Sequence, residues 1–161
     1  MAVDMFIKLD GVEGEAQDDK HKKEIDVLAW SWGSSQSGTT HMGAGGGGGK
    51  ANIQDLSLTK YIDSSTHTLL QRTFDGKHIK EGTLVVRKAG GTPLEYLKIK
   101  MTDIMVTSVS TGGSGGEDRL TENVTLNFSK VEVDYVPQKE DGTGEAEKKA
   151  GWDIAENKTM V

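Results

Sequence analysis

VTSVSTGGSGGEDRLTENVTLNFSKVEVDYVPQ, residues Val106 to Gln138, holds two strand-like runs joined by a glycine turn. Leu120, Glu122, Val124, Leu126 and Phe128 share one face at period two, and Thr121, Asn123, Thr125 and Asn127 share the other. Such alternation, rich in β-branched residues, predicts a half-buried strand. After Phe128 the apolar residues move to odd positions: Val131, Val133 and Tyr135. A one-residue slip would turn all later side chains to the wrong face, so a bulge or sharp bend is expected at Ser129–Lys130. The other strands are expected to pair around this ribbon.

Upstream, Val3, Met5, Ile7 and Leu9 alternate with Asp4, Phe6 and Lys8, which predicts a first strand. Asp10–Lys23 is polar and acidic and reads as a surface loop. Glu24–Trp32 reads as a second strand, with Ile25, Val27, Ala29 and Ser31 on one face and Asp26, Leu28, Trp30 and Trp32 on the other. Gly33–Lys50 has almost no side chains to bury, and long loops of this kind are functional or disordered. Asn52–Ile62 resumes a strand. Ser64–Phe74 predicts the helix, N-capped by Ser64 or Ser65 and stopped by Asp75-Gly76. Gly82–Lys88 and Leu94–Met101 flank Ala89-Gly90-Gly91-Thr92-Pro93 as a hairpin, and Asp103–Ser110 leads into the ribbon. Residues 139–149 are a charged excursion, Trp152 and Ile154 mark a last short strand, and a frayed tail is expected over 156–161.

The 161 residues suit one domain, 1–161. There is no cysteine, so neither a disulfide nor a thiol nucleophile exists. The formal charge of -6, with both signs interspersed, disfavours nucleic acid and anionic membrane as partners. No apolar run approaches the roughly 20 residues of a membrane span, and MAVDMFIKLDG lacks the basic and apolar regions of a signal peptide.

Catalytic motifs fail on context. Gly112-Gly113-Ser114-Gly115-Gly116 matches G-x-S-x-G, but a strand follows it and all four histidines (His21, His41, His67, His78) precede it. In Gly43–Lys50, a phosphate loop would need a glycine where Ala44 stands and a hydroxyl where Ala51 stands. Ser57-Leu58-Thr59-Lys60 matches S-x-x-K mid-strand, where Ser57 and Lys60 face opposite sides. The histidines have no ligand spacing, so no metal and no cofactor is expected. Two other functions are set aside. A hydrolase using Ser114 lacks its partners, and a lipocalin-like carrier needs a more apolar cavity than a chain with 34% hydrophobic residues and many polar strand faces provides.

Several long stretches, in one order, resemble the Hcp family, the haemolysin-coregulated proteins of type VI secretion. They are MAVDMFIKLDGVEGE, DDKHKKEID, EIDVLAWSWG with Gln36-Ser37-Gly38, KYIDSSTHTLL, VRKAGG, VSTGGSGGEDRLTENVTLNFSKVEVDY and GWDI. The stretch HTLLQRTFDGKHIKEG matches more loosely. The resemblance implies a mainly β fold: two packed antiparallel sheets in a barrel-like domain with one short α-helix at the side. It implies no catalysis. It also implies hexameric rings with a wide channel, stacked into a tube resembling a phage tail tube. The partners implied are further copies of the chain, a spike protein that caps the tube, a contractile sheath and effector proteins carried in the lumen. The chain would be bacterial, made in the cytoplasm and exported through the type VI apparatus without a signal peptide.

Two sites follow from joining the implied ring to the residues. Large aromatics bury their area inside, so Trp30 and Trp32 should face the core and Ser31 should face away from it, into the channel. Ser31 is therefore the expected cargo position. The glycine loop, with Gly43, Gly45, Gly46, Gly47, Gly48 and Gly49, is the expected ring-stacking element, because bare backbone allows close approach.

Overall fold

A computed structural model of the chain describes residues 3–38, 41 and 48–161. Its strands and helix, in chain order, are β1 (Val3–Leu9), β2 (Ile25–Asp26), β3 (Ala29–Ser31), β4 (Ser34–Ser35), β5 (Asn52–Ile53), β6 (Leu56–Tyr61), α1 (Thr66–Asp75), β7 (Ile79–Lys88), β8 (Leu94–Thr111), β9 (Thr121–Tyr135), β10 (Lys148–Asp153) and β11 (Lys158–Thr159). The fold is mainly β, with antiparallel pairing throughout these strands. The main sheet runs β11-β10-β9-β8-β7-β1-β2, and β6 bridges β9 to β3.

The β8–β9 hairpin is the spine of both layers. One edge of β9 is covered by β8. The other edge changes partner: residues from Thr121 to Leu126 pair with β6, and those from Lys130 to Tyr135 pair with β10. The β6 layer folds back over the β10 layer. Leu56, Leu58, Val124 and Leu126 of the first meet Ile7, Leu84, Ile99 and Met101 of the second in one buried core.

The slip in apolar phase has a different basis from the expected bulge. The β8–β9 register is the same on both sides of the slip, with Thr102 opposite Lys130 and Ile104 opposite Phe128. Only the pair between them, Asp103 and Ser129, drops out of the ladder. Asp103 has a left-handed φ of 56° there. In β8 the buried series passes from Ile99 and Met101 to Ile104 and Val106, while in β9 it passes from Phe128 to Val131. Both strands thus turn over together, and pairing is kept. The bulge lies further on, between Val106 and Ser108, where Thr107 is the extra residue. Leu94–Met101 and Asp103–Ser110 are accordingly one strand.

The expected second strand is also divided. The Val27 amide donates to Met5 O, at β1, and the Leu28 amide donates to Thr59 O, at β6. Passing from one layer to the other reverses the faces. Ile25 and Val27 are buried, whereas Ala29 and Ser31 are exposed and Trp30 and Trp32 pack on the core. The helix ends as expected: Gly76 is left-handed at φ 67°, and its amide donates to Arg72 O. Ser65 occupies the N-cap but spends its hydroxyl on Asp63 Oδ1, at 2.5 Å. The tail does not fray at Glu156: it turns back and pairs as β11, with Trp152 opposite Thr159.

Candidate functional site

The outer face of the β3-β6-β9-β8 layer is built in two transverse rows. Ser31, Ser57, Thr125 and Ser108 stand in register in one; Ala29, Thr59, Asn123 and Ser110 stand in register in the next. These residues take the solvent face because their strand neighbours Trp30, Leu58, Val124 and Val109 take the core. Ala29, Ser31, Ser57, Thr59, Asn123 and Thr125 of these rows line a shallow groove of about 420 Å³. Two pairs within the rows are bonded: Thr59 Oγ1 donates to Asn123 Oδ1 at 2.8 Å, and the hydroxyls of Ser108 and Thr125 are 2.8 Å apart. The bulge brings a second hydroxyl, Thr107 Oγ1, to 2.6 Å from Thr125 Oγ1. Asp55 ties this edge down, accepting from Thr107 Oγ1 and Asn127 Nδ2 at 2.9 Å each. The surface is small, hydroxylated and, in both rows, uncharged.

The outer face of the β8-β9-β10 layer is the opposite in character. Lys98, Asp134 and Lys149 stand in one row and Lys100 and Glu132 in another. Asp134 is 1% exposed beneath the lysine stems, with Lys100 Nζ at 2.9 Å. The hydrogen bond to Asp134 raises the pKa of Lys100, against a smaller opposing effect of burial.

The structure places Ser31 on the exposed face, opposite Ser57, with Trp30 and Trp32 toward the core as expected. Trp32 Nε1 donates to Gln54 O at 2.9 Å, so its polar edge is satisfied. Of the glycine candidates, Gly48 and Gly49 are described. Gly48 bridges Gly38, and a Cβ on Gly49 would lie 2.5 Å from Ser37 Oγ. Gly43, Gly45, Gly46 and Gly47 lie outside the described residues.

Ser114 caps an exposed turn, its carbonyl accepting from the Glu117 amide. His21 and His78 are engaged elsewhere, on Glu24 and Glu95 and on Asp103. Ser57 and Lys60 face opposite sides, the first outward and the second into the core. Among the described residues no group of three or more His, Asp or Glu is placed to hold a metal.

The sequence reading missed a buried charged cluster. Lys60 is 0% exposed, and its ammonium contacts the Glu122 carboxylate, Asp63 Oδ1 at 3.1 Å and Tyr61 O at 2.7 Å. Thr66 Oγ1, on the first turn of α1, donates to Glu122 Oε2 at 2.8 Å. The cluster pins the helix to β6 and β9. Its signal was present in the period-two pattern, since Lys60 is in phase with Leu56 and Leu58, and Glu122 with Val124 and Leu126.

A family model described as type VI secretion system effector, Hcp, matches residues 6–135. The chain belongs to the Hcp family. Protein hcp1 of Pseudomonas aeruginosa (strain PAO1) is 61% identical to it over 159 residues, 98% of each chain. Two crystal structures follow the same path. Hcp1 from Salmonella typhimurium is 40% identical, with a TM-score of 0.81 over 99% of this chain and 100% of that one. A type VI secretion system effector from Yersinia pestis is 41% identical, with a TM-score of 0.78 over 94% and 100%. As an Hcp-type chain this is a type VI secretion protein. None of its described helices is long and apolar enough to cross a membrane.

Proposed function

We propose that this Hcp chain is a structural subunit of the type VI inner tube and not an enzyme. Six copies close into a ring, rings stack into a tube capped by a spike protein and wrapped by a contractile sheath, and effector proteins travel in the lumen. The observation that carries this reading is the uncharged, hydroxylated face around Ser31. Small side chains keep a channel wide. On the β8 side of this face, Thr107, Ser108 and Thr125 spend their hydroxyls on one another. The charged face of β8-β9-β10 is then the better candidate for the outside of the tube.

Ser31 is the wall position at which cargo is held. Ser31→Gln and Ser31→Glu should leave hexamers and tubes intact and lower the level of a co-expressed effector, measured by immunoblot against wild type. A hexamer that falls apart would make the position an interface, and an unchanged effector level would leave Ser31 without a role.

The glycine loop is proposed as the ring-to-ring contact. Ordering a glycine arm costs conformational entropy, which a neighbouring ring would have to offset. Deleting Gly45–Gly49 should preserve fold and ring but impair tube formation and secretion. Normal stacking and secretion of the deleted protein would sink this assignment.

A further inference from the structure

Residues 10–24 carry polar side chains yet are tied down along their length. Gly14 N donates to Lys23 O at 2.8 Å, Lys23 N to Ala16 O at 2.9 Å and Ala16 N to Glu24 O at 3.0 Å. A Cβ on Gly14 would lie 2.5 Å from the Glu24 carbonyl, so the two arms of this strap touch backbone to backbone. The strap covers the outer face of β1 and β7, where Phe6 and Val85 are 5% and 6% exposed.

Two side chains, His21 and Arg87, latch it. The His21 ring stacks on Phe6 with centroids 4.5 Å apart and planes 13° from parallel, and the Arg87 guanidinium lies 5.3 Å from the same ring. Arg87, on β7, donates to Asp18 of the strap at 2.6 and 3.0 Å and to Asp4 of β1 at 3.1 Å. His21 is 7% exposed. Its Nδ1 is 3.0 Å from both oxygens of Glu24, within the strap, and its Nε2 is 2.7 Å from Glu95 Oε1, on β8. Lys98 Nζ is 3.6 Å from the other Glu95 oxygen.

Both ring nitrogens therefore face carboxylate oxygens, which only accept. A protonated imidazole has two N–H donors and satisfies both; a neutral one has one, and points a lone pair at the other carboxylate. We propose that His21 makes the 10–24 strap a pH-sensitive latch, closed while the ring is charged and loosened when it loses its proton. The sign follows from the donors: strap stability is present on the acid side and falls as pH rises through the range in which imidazoles titrate, about pH 5 to 8. The second latch does not move in that range. Hydrogen bonds from Arg87 hold the Asp18 carboxyl down at about 2, so its contribution is lost as pH falls from the ordinary carboxylate value through about 2.

The test is hydrogen–deuterium exchange of the full-length protein at about pH 6 and about pH 8.5, with rates over residues 16–24 normalised to intrinsic chemistry. Histidine ring carbons, labelled with ¹³C, report the charge of His21 in parallel; the His21→Gln spectrum identifies its resonance. Protection of the strap should fall about tenfold across this range, in step with the ring. In Glu95→Gln the amide can accept from the charged ring or donate to the neutral one, so the strap should stay protected and the pH response should flatten. Equal protection at both pH values while the ring titrates overturns the proposal, as does a ring that keeps one charge state throughout. Either variant failing to fold leaves the wild-type comparison decisive.

Discussion

Glu122→Ala lowers the unfolding free energy of the chain by about 3–5 kcal/mol, the scale expected when one partner of a buried ion pair is removed. Lys60 cannot reach water: its side chain is fully buried, and its remaining partners are Asp63 and the Tyr61 carbonyl. Truncating Glu122 also strips Thr66 Oγ1 of its acceptor, so the first turn of α1 loosens along with the pair. Urea titration at one fixed protein concentration measures the loss as a lower midpoint. Converting both charges, as Lys60→Met with Glu122→Leu, should cost much less than the sum of the single changes, because no charge is left stranded. A Glu122→Ala protein within about 1 kcal/mol of wild type would show that the cluster is wet or rearranged, contrary to its burial.

Leu126→Ala should cost about 2–5 kcal/mol, as emptying a rigid core site does. Leu126 is fully buried, and it stands in register with Leu56 on one side and Val106 on the other. These neighbours belong to strands paired on both edges of β9, so the backbone cannot collapse into the void. The same urea titration reads the effect. Leu126→Met, close in volume, should cost under about 1.5 kcal/mol, and a similar loss from both changes would argue against a packing origin.

Much of this architecture was legible along the chain. The alternation from Leu120 to Phe128 located β9 and both of its faces, and it set Glu122 among apolar neighbours. Gly76 marked the end of α1 through its backbone freedom. Trp30 and Trp32 carried enough apolar area to assign their face, which put Ser31 on the other. What escaped was decided by partners distant in sequence. The break after Val27 exists because the chain leaves β1 for β6, and nothing in Val27 or Leu28 records that change. The face reversal at Ser129 needs Asp103 to turn with it. The partner of Lys60 could not be read from the chain, because its counterion is 62 residues away. Asp10–Lys23 read as a surface loop, since His21 and Asp18 find Glu95 and Arg87 only in the folded sheet. The candidate site was legible in part: Ser31 could be placed, but the rows completed by Ser57, Thr125 and Ser108 follow from register, which period alone does not set.

A tube subunit of the proposed kind has to close into a ring. Mass photometry of the purified protein, with negative-stain electron micrographs of the same sample, tests it most directly. Six copies of a 17.4 kDa chain give a particle of about 104 kDa, seen end-on as a ring with an open centre. A single species at 17.4 kDa at micromolar concentration, unchanged across salt conditions and without rings on the grid, would contradict it.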